Sequence, residues 1–249
     1  MLLLRLHWYI VLMHFSDKHL FFDLDRTLWD FDKNSEFTIR QILKNEKIED
    51  QVKGFEVFHA LYRKKNAALW RIYGKGEITK EKLRYERFKV SLEHFFSPSP
   101  ELVKRIGDAY VELSPQQIQL MPNTLETLTQ LKELGFKMHI ITNGFAEVQH
   151  LKLANCGLKE YFQEIICSEA IGKNKPEPEI FEYALKSAGA AVKNSVMIGD
   201  DYYADITGAT KIGMKAILFK PDNAANYPYE NTIGNLNELP ALIRKLFNQ

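Results

Sequence analysis

Two aspartates, Asp23 and Asp25, with Thr27 just beyond them, stand at the end of a short apolar run, HLFFD. Three later apolar runs also end in polar residues. Thr142, Asn143 and Gly144 follow KMHIIT, a lysine- and proline-bearing stretch with Lys175 follows EIIC, and Asp200, Asp201 and Asp205 follow SVMIG. Singly, each is an ordinary turn or helix start. Jointly they make a set that packing does not require. Gathered carboxylates such as Asp23, Asp25 and Asp200 repel one another unless a cation sits among them, and an all-oxygen site that keeps some water suits Mg²⁺. A hydroxyl, a lysine and the N–H groups that open the helix AEVQHLKLANCG are suited instead to an anion. A cation, an anion pocket and a carboxylate nucleophile together point to phosphoryl transfer.

Magnitudes divide the labour. An aspartate at about 4 Å from a phosphate dianion is opposed by roughly 4 kcal/mol per charge pair at an effective dielectric near 20. Mg²⁺ and Lys175 are the cations that cancel it. General acid help is worth about 10²- to 10⁴-fold, against accelerations of up to ~10²¹ for phosphate monoesters, so Asp25 alone is not enough. Electrostatics and positioning must supply most of the rest.

Four such stretches converge if the runs are strands of one sheet. Those at residues 19–23, 137–142, 164–167, 195–199 and 215–219 are short, β-rich and mostly apolar, the pattern of buried parallel strands. Helical patterns lie between the later ones. In TLETLTQLKELG, Asn123 or Thr124 is placed to cap, Leu125, Leu128, Leu131 and Leu134 to line one face, and Gly135 to stop the helix; in PEIFEYALKSAG, Ile180, Phe181, Ala184 and Leu185 share a side before Gly189. This alternation predicts an α/β fold, a doubly wound Rossmann-like parallel sheet that binds ligands at the carboxyl ends of its strands. Residues 34–117 break the alternation. They hold no strand-like run, but Phe55, Phe58, Tyr62, Leu69 and Ile72 keep a three-and-four spacing and Ser99, Pro100 and Glu101 open a helix. An all-α domain is therefore predicted between core segments 16–33 and 118–249, hanging over the carboxyl edge of the sheet.

In this order the motifs resemble those of the haloacid dehalogenase superfamily, whose phosphatases carry D-x-D-x-T/V, a strand-end Ser/Thr, a Lys and an acidic G-D motif. The likeness runs over about residues 19–240. It implies Asp23 as a nucleophile that forms an aspartyl-phosphate, and Asp25 as acid for the leaving oxygen and then base for water. Thr142 and Lys175, with Asn143 and Gly144, would hold the phosphoryl group. Mg²⁺ would be bound by the Asp23 side chain, the Asp25 carbonyl oxygen and Asp200, with Asp201 and Asp205 in support and Asp205 orienting the lysine. Dehalogenation is disfavoured, because true dehalogenases of the superfamily lack the second carboxylate that Asp25 supplies. The insert resembles the family's helical-bundle cap, which closes over small substrates. Within it NAALWRIYGKGEIT, together with DLDRTLWDFD and IITNGF, is similar to the pyrimidine 5′-nucleotidases that act on nucleoside monophosphates, non-standard ones included. The similarity places Asn66 and Trp70 nearest the nucleoside, Trp70 offering a stacking face. A sugar-phosphate phosphatase or phosphomutase of the same fold, and a phosphoaspartate signalling receiver, are the alternatives.

Composition agrees with a small-molecule partner. In 249 residues, 33 Lys and Arg balance 32 Asp and Glu, leaving no excess charge to hold a nucleic acid backbone. Cys156 and Cys167 are too few for a disulfide framework and read as reduced core thiols in the cytoplasm. The opening MLLLRLHWYIVLMHF is broken by Arg5 and His7 and falls short of the roughly 20 apolar residues of a membrane helix. Residues 1–15 are expected to be an extension or a mis-started leader, with Met13 as the natural start. A monomer or homodimer, bound to no membrane, is expected.

Overall fold

A computed structural model describes residues 15–221 and 228–248. The expectation for the first twelve residues lies outside them. Each strand read from the sequence forms: β1 His19–Phe22, β2 Lys137–Thr142, β3 Glu164–Cys167, β4 Ser195–Gly199 and β5 Lys215–Phe219. A sixth, β6 Thr232–Ile233, is too short to leave an apolar run in the sequence. All pairs are parallel, in the order β3-β2-β1-β4-β5-β6. The central β1 sits between β2 and β4, Phe22 facing Ile140 on one side and Ile198 on the other. The chain therefore leaves β1 at the point where the order reverses, the usual ligand crevice of such sheets.

Two contact units make up the chain: Phe31–Ile118, and the residues on either side of it. The boundary expected at residues 33 and 34 falls inside a helix, α1 Phe31–Asn45, so the first crossing comes at Asp30. On the sheet side the two crossing segments pair. Met121 N–H donates to the Leu28 carbonyl at 2.9 Å and Asp30 N–H to the Gln119 carbonyl at 3.0 Å.

The helical unit continues with α2 Phe55–Gly74, α3 Lys80–Leu92 and α4 Pro100–Leu113. Ser99 caps α4, its hydroxyl accepting from Leu102 N–H at 3.2 Å. Ile39, Phe58, Tyr62, Phe88, Val103 and Ile106 form its core. On α2 the buried face is Phe58, His59, Tyr62 and Asn66, whereas Leu69 and Ile72, expected on the same stripe, are only partly covered.

The sheet unit adds α5 Thr124–Glu133, α6 Ala146–Asn155, α7 Pro178–Ala188, α8 Gly208–Lys211 and α9 Leu239–Phe247. On α5 two expectations need correction. Leu125 is 44% exposed, because residues spaced by three drift about 60° per step around a helix, and the buried face is instead Thr124, Thr127, Leu128 and Leu131. Neither Asn123 nor Thr124 caps by side chain. Asn123 donates to Asn235 Oδ1 at 2.7 Å, and the Thr124 hydroxyl donates back to the Met121 carbonyl at 2.7 Å. No helix among the described residues is long and apolar enough to cross a membrane.

At the amino end of β1, His19 Nδ1 lies 3.0 Å from His139 Nε2 on β2, both rings buried. Burial, then the neighbouring His19 and Lys137, push His139 down to about 3. It is neutral in the folded chain but charges below about 6.5 once unfolded. Its contribution to stability is present above that value and is lost as pH falls toward 3, at about 1.4 kcal/mol per unit. Urea denaturation should show stability falling by about 2 kcal/mol between pH 6.5 and pH 5 on this account, with a flatter slope in His139→Gln; equal slopes would remove His139 as the cause.

Candidate active site

Asp23 follows β1 directly, and its N–H still donates to the Ile198 carbonyl of β4 at 2.8 Å. The side chain is therefore set by the sheet rather than by a loop. Lys175, on the loop before α7, reaches it. Its Nζ donates to Asp23 Oδ1 at 2.6 Å, to Asp205 Oδ1 at 2.6 Å and to the Ile141 carbonyl at 2.8 Å. Those three bonds use every donor of the ammonium, whose side chain is 2% exposed. Burial alone would lower Lys175, but Asp205 and Asp23 outweigh it and hold the group above the ordinary lysine range. Burial pushes Asp23 up to about 7, with Asp205 and Asp25 adding to the rise and Lys175 opposing it. Asp23 Oδ2 keeps only a 3.4 Å contact from the Thr27 hydroxyl.

The loop that presents Lys175 is itself braced. Asn143 Nδ2 donates to the Lys175 carbonyl at 3.0 Å, and Lys175 N–H donates to Asn143 Oδ1 at 2.8 Å. The Asn143 side chain, expected at a phosphate, is thus committed to the lysine loop, and an anion there would meet its backbone. The start of α6 is occupied too. Ala146 N–H donates to Glu169 Oε2 at 2.7 Å, so the chain's own carboxylate takes part of the place expected for an anion.

The acidic end of β4 spreads its three aspartates over different tasks. Asp205, in the π-turn Tyr202–Thr207, is buried and accepts from Lys175 and, through Oδ2, from Asp201 N–H at 3.0 Å. A side chain at Gly199 would strike that carboxylate, which explains the glycine. Asp201 is a cap, its Oδ1 accepting from Tyr203 N–H at 2.8 Å and Ala204 N–H at 2.9 Å. Asp200 is pushed well above the carboxylate range by burial and then by Asp23 and Asp205, and the Lys220 ammonium donates to its carbonyl. One carboxylate oxygen from each of Asp23, Asp200 and Asp205 lies within 4.8 Å of the others, an oxygen set that a hard divalent cation fits.

Asp25 lies two residues past Asp23, and both of its oxygens are held by α6. Lys152 Nζ donates to Oδ1 at 2.5 Å and Gln149 Nε2 to Oδ2 at 2.9 Å. Gln149 Nε2 also donates to Thr142 Oγ1 at 2.7 Å. Neither Gln149 nor Lys152 stands out in the sequence; the one available signal is that they follow Thr142 at helical spacing on a common face. Asn66 and Trp70 belong to the other unit, on α2. Asn66 is buried with its carbonyl oxygen lacking a hydrogen-bond partner, and Trp70 is partly covered, its ring edge-on to Tyr73 with centroids 5.5 Å apart.

Residues 20–219 match the family described as haloacid dehalogenase-like hydrolase. Over 211 residues the chain is 30% identical to the pyrimidine 5′-nucleotidase PynA of Streptococcus pneumoniae, covering 84% of this chain and 86% of that one. Over 206 residues it is 32% identical to the ribulose-1,5-bisphosphate 5-phosphatase of Halopiger xanaduensis, covering 82% and 85%. The structure of the HAD-hydrolase YfnB from Bacillus subtilis, bound to magnesium, superposes with a TM-score of 0.80 at 25% identity, covering 92% of this chain and 99% of that one. The chain belongs to the haloacid dehalogenase-like hydrolase family.

Proposed function

We propose that this hydrolase is a Mg²⁺-dependent phosphatase that works through an aspartyl-phosphate on Asp23, with nucleoside monophosphates, chiefly pyrimidine ones, as substrates. The observation that carries the reading is Asp23 fixed by Lys175 at the reversal point of the sheet, with a second, independently held carboxylate two residues on. Asp23 and Asp200 would hold the Mg²⁺ with the Asp25 carbonyl oxygen, since Asp205 is engaged by Lys175 and Asp201. When bound, Mg²⁺ supplies positive charge that offsets the repulsion between carboxylates and phosphoryl oxygens.

The chain's own residues then divide the reaction into two displacements. An Asp23 carboxylate oxygen bonds to phosphorus while the ester P–O bond breaks, and Asp25 gives its proton to the departing oxygen. Asp25, now ionised, takes a proton from water as that water bonds to phosphorus, which releases Asp23 and inorganic phosphate. Lys175 holds Asp23 in one orientation throughout, and the Thr142 hydroxyl is placed to donate to a phosphoryl oxygen.

For the substrate, the reading rests on the relative named a pyrimidine 5′-nucleotidase and on the resemblance that assigns Asn66 and Trp70 to the nucleoside. Asn66 lies on the buried face of α2, which leaves the partly covered Trp70 ring as the group suited to stack on a base. The relative named for a ribulose bisphosphate keeps sugar phosphates as the second reading. Purified protein assayed for inorganic phosphate against nucleoside monophosphates and sugar phosphates, with Mg²⁺ and with EDTA, decides among these. The expected result is Mg²⁺-dependent, stoichiometric phosphate release, fastest from pyrimidine nucleotides. A preference for sugar phosphates would overturn the nucleotidase reading, full activity in EDTA the Mg²⁺ assignment, and sub-stoichiometric phosphate would indicate a mutase.

A further inference from the structure

Gln149 and Lys152 are three residues apart on α6, and both point into the sheet unit while Leu151 between them is exposed. A helix that turns an amide and an ammonium inward and a leucine outward runs against the burial preference of all three, so the arrangement needs a cause. The Lys152 side chain is 5% exposed and is held on two sides: Asp25 Oδ1 at 2.5 Å, and the Trp29 ring, whose centroid is 4.0 Å from Nζ. A buried ammonium is tolerated only when so paired.

Gln149 joins two groups that the chemistry uses. Its amide must turn NH₂ toward Asp25, because a carboxylate only accepts, and the second N–H goes to Thr142 Oγ1. That hydroxyl also accepts from Gly144 N–H at 3.1 Å. With both acceptor sites filled, the Thr142 proton is left to point outward and donate, the polarity an anionic oxygen requires. Gly144 takes part by being small. A Cβ there would lie inside contact distance of the Gln149 amide, so this glycine makes room for the clamp.

We propose that Lys152 and Gln149 are positioning residues that hold Asp25 and Thr142 in fixed relation, Lys152 acting through Asp25 alone and Gln149 through both. A carboxyl group has about four lone-pair sites; the clamp uses one on each oxygen and leaves one on each for the working proton in both half-reactions. Asp25 sits on a loop, where a carboxylate would otherwise sample several rotamers, and misplacing a reacting group by about 1 Å costs on the order of 10²-fold.

The inference rests on the phosphatase reading, and its test separates the two. Lys152→Met is compared with wild type on uridine 5′-monophosphate and ribose 5-phosphate, whose alkoxide leaving groups need a proton, and on p-nitrophenyl phosphate, whose leaving group does not. The expected result is a loss in kcat/KM of about 10²-fold on the alkyl esters and under about tenfold on the aryl ester. Added to Asp25→Asn, the same change should cost nothing further, since its only route of action is gone. Gln149→Met should in addition raise KM on all three substrates, and Gly144→Ala should resemble it. Equal losses on alkyl and aryl esters, a multiplicative loss in the Asp25→Asn background, or wild-type rates in Lys152→Met would overturn the inference. Should Lys152→Met fail to fold, Lys152→Gln keeps a donor without the charge and carries the same comparison. Wild-type protein that releases phosphate from none of the three would overturn the phosphatase reading instead.

Discussion

Asp23→Asn should remove turnover, by about 10⁴-fold or more in kcat, while leaving the fold at least as stable as before. The first half follows from chemistry: an amide is a poor nucleophile for phosphorus, and a group that works as a unit with its partners costs nearly the whole acceleration when it is lost. The second half follows from the raised position of Asp23. Its carboxyl titrates at about 7 in the folded protein, against about 3.9 in an unfolded chain. A group raised on folding contributes stability that is full below the unfolded value and is lost as pH rises through the folded one. In metal-free protein, ionised Asp23 is therefore a burden above neutrality, imposed first by burial and then by Asp205 and Asp25. Asparagine has the same size and carries no charge, so at pH 8 in EDTA the variant should melt no lower than wild type, and Mg²⁺ should raise its melting temperature less. Phosphate release and thermal melts of the two proteins check both halves. Activity retained in Asp23→Asn would end the nucleophile assignment, and a large drop in melting temperature would mean that the charge is structural.

What could be read from the sequence was whatever depends on one segment at a time. The strand runs were legible because parallel strands buried on both faces are mostly apolar; β1 and β4 are buried along their whole length, and only His19 and Ser195 in them carry polar side chains. Asp23, Thr142, Lys175 and Asp200 stood out because acids, hydroxyls and lysines at four strand ends have no packing reason to coincide. What remained hidden depends on contacts between segments. Asn143 looks like part of an anion loop, yet its amide is spent on the Lys175 backbone, a pairing across 32 residues that no local pattern announces. Lys152 looks like a solvated helix charge and becomes a buried one only because Asp25 and Trp29, from the segment after β1, pack against it. Gly144 reads as part of an anion loop and Gly199 as the end of a strand, whereas each is small because another side chain, Gln149 or Asp205, occupies the space beside it.

Lys175→Met should be the most destabilising single change at the site, and its cost should depend on pH in a direction set by the carboxylates it leaves behind. Removing one partner of a buried ion pair costs about 3–5 kcal/mol, because the remaining charge has neither water nor a counter-ion. Here two partners are stranded, Asp23 and Asp205, each already raised by burial and each held down chiefly by this lysine. Without Lys175 both rise further, so their stabilising contribution is lost over a window that reaches beyond the value of about 7 at which Asp23 titrates in the intact protein. While protonated, the stranded acids are bearable; as pH rises and they ionise, they are not. The deficit relative to wild type, measured by urea denaturation in EDTA, should therefore be small at pH 5 and grow to about 3–5 kcal/mol at pH 8. A deficit of equal size at both values would show that lost packing, not charge, is responsible. Turnover should fall as well, by about 10³-fold, since roughly 4 kcal/mol per charge pair no longer opposes the repulsion between Asp23 and phosphate. Lys175→Arg should restore little of either property. Three acceptors, Asp23 Oδ1, Asp205 Oδ1 and the Ile141 carbonyl, surround one nitrogen at 2.6 to 2.8 Å. A planar guanidinium spreads its donors along a fork and cannot meet three acceptors converging on a point.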